Sequence, residues 1–276
     1  MKQTIGKFAS RPVVAVEAES RAQDALRLMS ERRISCVIVL AHDQQVGILT
    51  KRDVVFAANW LLVQPNLLIK EVMNKPVMTV SEEMTVAQAY QVFCQHKLRH
   101  LVVLDGRLDI VGVFTQTDLV RSMREKAFAG IKDVSKLMTS QVLHVTPDVS
   151  ARYALSQMAV SAVSCILVVE NGKPLGVFTE RDVVRIIANS ENLTSVTVAS
   201  VMSPTIIALP TTTSPFDSVM LMLKKSIRRL LIVDEHGDMV GILTQTDINR
   251  LLEKHDSGLV SLMLDNTGHP SAVPSG

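Results

Sequence analysis

The sequence predicts an α/β fold built from four copies of one strand–helix–strand–strand–helix unit, paired two by two. Three observations carry that prediction. A Gly-φ-φ-Thr-x-x-Asp-φ octet (φ, apolar) occurs four times, beginning at Gly47, Gly112, Gly176 and Gly241. Those glycines lie 65, 64 and 65 residues apart (112 − 47, 176 − 112, 241 − 176), and self-similarity at a fixed period marks a repeat architecture. The copies also alternate. Copies one and three share Ser-Cys before their middle strand (Ser35-Cys36, Ser164-Cys165) and Arg-Asp-Val-Val from Arg52 and Arg181. Copies two and four carry paired bases (Arg99-His100, Arg228-Arg229) and Thr-Gln-Thr-Asp. Like copies are offset by 129 both times (176 − 47, 241 − 112), so a two-repeat unit was duplicated and the physical unit is the pair.

Each element follows from its pattern. The first strand is predicted at Val13–Val16, Val77–Val80, Val142–Val145 and Ile206–Leu209. A polar turn leads to an amphipathic segment, with Ala25, Leu26 and Met29 at helical spacing in copy one. Ala89, Tyr90 and Phe93, then Ala154, Leu155 and Met158, then Val219, Met222 and Leu223 serve the later copies. Middle strands follow at Val37–Val39, Leu101–Val103, Ile166–Val168 and Leu230–Ile232, and the octet bridges last strand and last helix. A single copy of this size buries little surface alone, which pairing remedies. The predicted boundaries are 1–64, 65–129, 130–192 and 193–254, with a flexible tail over 255–276 rich in Pro, Gly and Ser. The break between pairs falls near Phe128–Lys132, where Ala129-Gly130 interrupts the helical pattern.

Composition narrows the function. Hydrophobic residues are 47 % of the 276 and aromatics 4 %, so a sizeable core is built from aliphatic side chains, which suits α/β layers. A net charge of +2, from 29 basic and 27 acidic side chains, lacks the concentrated basic face that nucleic acid requires. The cysteines Cys36, Cys94 and Cys165 show no zinc spacing and read as reduced thiols of a cytoplasmic protein. No signal-peptide core and no apolar run near the ~20 residues of a membrane span appear. Rossmann, P-loop and Gly-x-Ser-x-Gly motifs are absent from the sequence, and the expectation is a protein that is not an enzyme.

The Thr-x-x-Asp element has two readings. Ser/Thr-x-x-acid before an apolar run is a capping box, in which each side chain satisfies a free amide at a helix start. The same geometry offers amides and a positive dipole end to a phosphate, and a carboxylate to the two hydroxyls of a ribose. Both remain open for Thr50/Asp53, Thr115/Asp118, Thr179/Asp182 and Thr244/Asp247.

On these octets, with the upstream apolar strand and helix, each unit resembles a CBS domain, the module named after cystathionine β-synthase, and each pair resembles a Bateman module. The likeness runs from Ile5 to about Glu253. It implies an α/β fold of CBS repeats paired with pseudo-twofold symmetry, whose clefts commonly bind AMP, ADP, ATP or S-adenosylmethionine. Chains of four units can close into a disc, as in the regulatory gamma subunit of AMP-activated protein kinase. Occupancy normally regulates an associated effector protein. By this resemblance the four Thr/Asp pairs hold phosphate and ribose, and adenine lies against Val13, Val77, Val142 and Thr205, each at a strand entry. Arg99, His100, Arg228 and Arg229 match the phosphate-binding end, with Arg52 and Arg181 inside the octets as further cations or as solvated surface. No cofactor is required and no metal site is expected; homodimerisation is a further expectation. The competing reading is a scaffold without a nucleotide, for which Trp60 with Leu61, Leu62 and Val63 would supply an apolar contact.

Overall fold

Every copy opens on a short strand, crosses a helix, returns as a β-hairpin and closes on a second helix. The computed structural model describes residues 3–42, 44–64, 66–123, 125–128 and 130–253. The predicted tail at 255–276, and Ala129 at the predicted break, lie outside these described residues. Copy one runs β1 (Ala15–Glu17), α1 (Ala22–Glu31), β2 (Cys36–Ala41), β3 (Gln44–Thr50) and α2 (Lys51–Val63). After the short α3 (Ile69–Val72), copy two runs β4 (Thr79–Ser81), α4 (Val86–His96), β5 (His100–Leu104), β6 (Ile110–Thr115) and α5 (Gln116–Ser122). Copy three comprises β7 (His144–Val145), α6 (Ala151–Val160), β8 (Cys165–Glu170), β9 (Lys173–Thr179) and α7 (Glu180–Ala188). Another short helix, α8 (Val198–Val201), precedes β10 (Ala208–Pro210), α9 (Pro215–Lys224), β11 (Arg229–Val233), β12 (Met239–Thr244) and α10 (Gln245–Glu253).

Each copy forms its own three-stranded sheet, the first strand parallel to the middle one and the middle antiparallel to the last. The first strands start two residues later than the sequence pattern suggests. Before the ladder only one carbonyl reaches the middle strand, as when Ile38 N–H donates to Val14 (2.9 Å), Val102 to Met78 (3.1 Å) and Leu167 to Leu143 (3.0 Å).

Two compact units emerge. One holds copies one and three (14–77 and 141–207); the other holds the N-terminal segment and copies two and four (3–13, 78–140 and 208–253). In the first, α1 and α2 pack on α7, and α2 also meets α6. Ala25, Leu26, Met29, Leu155, Ile166, Val183 and Ile187 are buried in a core shared by both copies. Gln23, on α1, donates to the carbonyls of Ile187 (2.6 Å) and Ala188 (3.0 Å) at the end of α7, and the Ile187 carbonyl also accepts from the Ser190 N–H (2.9 Å). In the second unit α5 packs on α10, where Thr117 donates to Gln245 Oε1 (2.9 Å). Phe93 stacks on Phe114 with centroids 5.8 Å apart, and Phe128 meets Phe216 at 6.3 Å.

The segment leading into a copy packs against that copy's sequence partner. Ser10 bridges to Val113 of copy two, and Asn74, just ahead of copy two, bridges back to Ile48 of copy one. Thr139 bridges to Ile242 of copy four, and Ser203 back to Val177 of copy three. Copies one and two therefore exchange leading segments, as do three and four, in keeping with the duplicated pair read from the sequence. The exchange also explains the octet glycines. A Cβ at Gly176 would stand 2.6 Å from Met202 Sδ and 2.8 Å from the Ser203 carbonyl; at Gly241, 2.7 Å from Met138 Sδ and 2.9 Å from the Thr139 carbonyl. Only glycine lets these segments lie so close.

Candidate functional site

The four octets fold into one local geometry. A strand ends at the threonine, whose backbone stays extended, and a helix begins at the next residue. In each copy the aspartate, at the third helical position, accepts through Oδ2 from the threonine N–H and O–H. The N–H distances are 2.7 Å (Thr50–Asp53), 2.9 Å (Thr115–Asp118), 2.9 Å (Thr179–Asp182) and 2.9 Å (Thr244–Asp247). The hydroxyl distances are 2.6, 2.7, 2.7 and 2.6 Å in the same order. Asp118 and Asp247 return an amide to Thr115 and Thr244 (3.3 Å each), and in copy three Arg181 N–H donates to Thr179 Oγ1 (3.2 Å). The capping half of the sequence reading thus describes real bonds.

The second carboxylate oxygen distinguishes the copies. Arg121, three residues after Asp118, donates to its Oδ1 at 3.0 Å; Arg250 does so to Asp247 at 3.1 Å and Arg185 to Asp182 at 3.4 Å. Each carboxylate side chain is nearly enclosed (1, 6 and 5 % exposed), whereas the arginines are half in solvent. Asp247 Oδ1 also accepts from Thr139 (3.1 Å). Copy one has Phe56 where the arginine would be, Asp53 is only half-buried, and its Oδ1 accepts from the neutral amide of Asn74. Burial pushes the Asp118 carboxyl above its ordinary range, against the opposing pull of Thr115 and Arg121.

The other sequence-predicted residues fall around these helix starts. His100 is register partner of Thr115 and Arg229 of Thr244, so each even copy sets a base opposite its capping threonine; the odd copies set Cys36 and Cys165 there. Arg99 and Arg228 lend their carbonyls to the first helical amide, from Gln116 (3.3 Å) and Gln245 (3.0 Å). Arg229 keeps a buried Nη1 without a hydrogen-bond partner among the described residues. Arg52 lies over the Phe56 ring, 5.8 Å from its centroid, and Arg181 is exposed. Val13, Val77 and Val142 sit half-buried two residues ahead of the first ladder pair. The fourth member of that set is Ile206 rather than Thr205, because β10 begins its register at Ala208. Trp60 is 58 % exposed and Leu61 5 %, so the predicted apolar patch keeps its tryptophan outside.

Sequence reasoning missed Arg121, Arg185 and Arg250, although an arginine three residues after the aspartate recurs in three copies. Asn74 and Thr139 recur at the repeat spacing (139 − 74 = 65), but that their segments reach the carboxylates appears only in the fold. Among the described residues no cluster of three metal-ligating side chains forms, and no helix is long and apolar enough to cross a membrane.

Comparison with known proteins bears on the whole architecture. An inosine-5'-monophosphate dehydrogenase of Korarchaeum cryptofilum is 35 % identical over 112 residues, 41 % of this chain but 22 % of that protein. An uncharacterised 33.4 kDa protein of Thermofilum pendens is 28 % identical over 196 residues, 66 % of this chain and 64 % of its own length. The chain therefore spans about a fifth of the first relative and just under two thirds of the second. The crystal structure of MJ1225 from Methanocaldococcus jannaschii, described as an archaeal homologue of g-AMPK, superposes with a TM-score of 0.77 at 20 % identity, covering 90 % of this chain and 99 % of that one. That likeness speaks for the fold. The CBS domain family matches residues 5–59, 69–125, 131–189 and 198–254, one match to each repeat, and the chain belongs to the CBS domain family.

Proposed function

We propose that this protein is a non-catalytic regulatory subunit or sensor that binds adenine nucleotides or related adenosyl ligands at the helix starts of its CBS repeats. The observation that carries the reading is the fourfold Thr–Asp geometry: a carboxylate anchored on one oxygen, at the mouth of a helix, in every copy. A carboxylate has about four acceptor positions, and the half-buried Asp53 shows three bonds. An acceptor facing a ribose is therefore compatible with the cap. His100 and Arg229, opposite the capping threonines, bring cationic or protonatable groups to the same end. Occupancy would favour one packing of the repeats by its differential affinity, and a partner would read that packing.

The scaffold reading is favoured by one observation, the fully bonded carboxylate of Asp247. Isothermal titration with AMP, ADP, ATP and S-adenosylmethionine separates the two. Saturable binding that weakens in Asp53→Ala, with circular dichroism unchanged, is the expected result. Heats indistinguishable from dilution for all four ligands would leave the Thr–Asp elements as caps of a scaffold.

A further inference from the structure

We propose that Arg121, Arg185 and Arg250 are tethered competitors for the carboxylates beside them, so that the four repeats are loaded in order and by different ligand chemistry. The inference rests on the adenosyl-binding reading above and adds its regulation. In three copies a guanidinium closes Oδ1 of the aspartate from within the same helix, at 3.0, 3.4 and 3.1 Å, over a carboxylate at most 6 % exposed. A ribose diol can reach that oxygen only by displacing the arginine. Charge-assisted bonds of this kind are about twice as strong as neutral ones, and two sugar hydroxyls bring no charge to replace them. A ligand that also carries a phosphate offers the displaced guanidinium a new anionic partner close by, with bidentate geometry.

Copy one lacks this device. At the corresponding position stands Phe56, 62 % exposed, and Asp53 is half-buried, its Oδ1 held by the uncharged amide of Asn74. Its neighbour Arg52 is drawn over the Phe56 ring, and no arginine lies three residues on. The Asp53 carboxylate is thus open to a neutral nucleoside, while the other three answer only to a phosphorylated one. Among those three, Asp247 is closed most firmly, because Thr139 adds a further bond to the arginine's oxygen.

The test compares adenosine with AMP by isothermal titration on the full chain. Adenosine is expected to fill one site per chain and AMP more than one. Phe56→Arg, a substitution at an exposed position, installs the missing competitor and is expected to weaken adenosine binding by about fivefold or more, the effect of roughly 1 kcal/mol, while AMP still binds the other repeats. The triple variant Arg121→Met/Arg185→Met/Arg250→Met is expected to add adenosine sites. Equal stoichiometry for adenosine and AMP in the unaltered protein, or a Phe56→Arg variant with unchanged adenosine affinity, overturns the ordering while leaving the adenosyl-binding reading intact. If neither compound binds the unaltered protein, the ordering falls, and the four-ligand titration above decides separately whether the adenosyl-binding reading falls with it.

Discussion

Asp118 shows how the same aspartate can be a cap, a candidate ligand group and an electrostatic liability. Its side chain is 1 % exposed, and desolvation outweighs the hydrogen bonds from Thr115 and the charge of Arg121, so its carboxyl titrates above the ordinary value. The folded protein then holds this proton more tightly than the unfolded chain does. Stability linked to the group is complete below the unfolded value of about 3.9 and is lost as pH rises through the higher folded value. Asp118→Asn keeps an oxygen for Thr115 but cannot ionise. Urea unfolding of both proteins between about pH 4 and pH 7 should show the native protein losing stability relative to the variant as pH rises. A difference that is flat, or that moves the other way, would mean that Arg121 fully compensates the burial. Phe56 makes the complementary point: it stands where the other copies carry an arginine, and the Asp53 carboxylate beside it is half-buried rather than enclosed.

At the level of elements, the exchanged leading segments decide which residues the octets tolerate. Gly176 is not confined by its backbone dihedrals but by Met202 and the Ser203 carbonyl, the latter 2.8 Å from an added Cβ. Gly176→Ala should push the segment off β9 and cost about 1–3 kcal/mol, the usual range for overpacking. Gly106 is the control: nothing lies within 4 Å of its would-be Cβ, and Gly106→Ala should be neutral or slightly stabilising through the unfolded chain. Thermal unfolding of the two variants side by side checks this, and equal midpoints would contradict the role assigned to the exchanged segments. The periodic core positions were legible beforehand: Ala25, Leu26 and Met29, with their counterparts Ala154, Leu155 and Met158, are buried as the helical spacing requires. The first strands were read too long, because hydrophobicity begins before the parallel ladder does.

For the molecule as a whole, two kinds of relation link the copies. The segments at Ser10 and Thr139 pack within the unit of copies two and four, and those at Asn74 and Ser203 within the unit of copies one and three; helical packing joins one to three and two to four. A fragment spanning 1–129 would keep the first relation and lose the second. It would expose the faces of α1 and α2 that meet α7, and the face of α5 that meets α10. A second copy of the fragment offers equivalent faces. The fragment is therefore expected to sediment as a dimer, whereas a folded, monomeric fragment would show that the helical packing between copies contributes little.

The repeat, its 129-residue duplication, the strand and helix order and the Thr–Asp pairs were all determined by sequence alone, because each is a local pattern that the chain writes four times. Family membership followed from the same patterns. What only the tertiary structure decided is how unlike the four copies are. Arg121, Arg185 and Arg250 are visible as letters, but that they close the aspartates depends on burial. Asn74 and Thr139 reach their carboxylates from segments 21 and 108 residues away in the chain. Local patterns repeat because backbone geometry is short-ranged; the distinctions among sites arise where distant segments meet, and which carboxylate each segment reaches is set by packing.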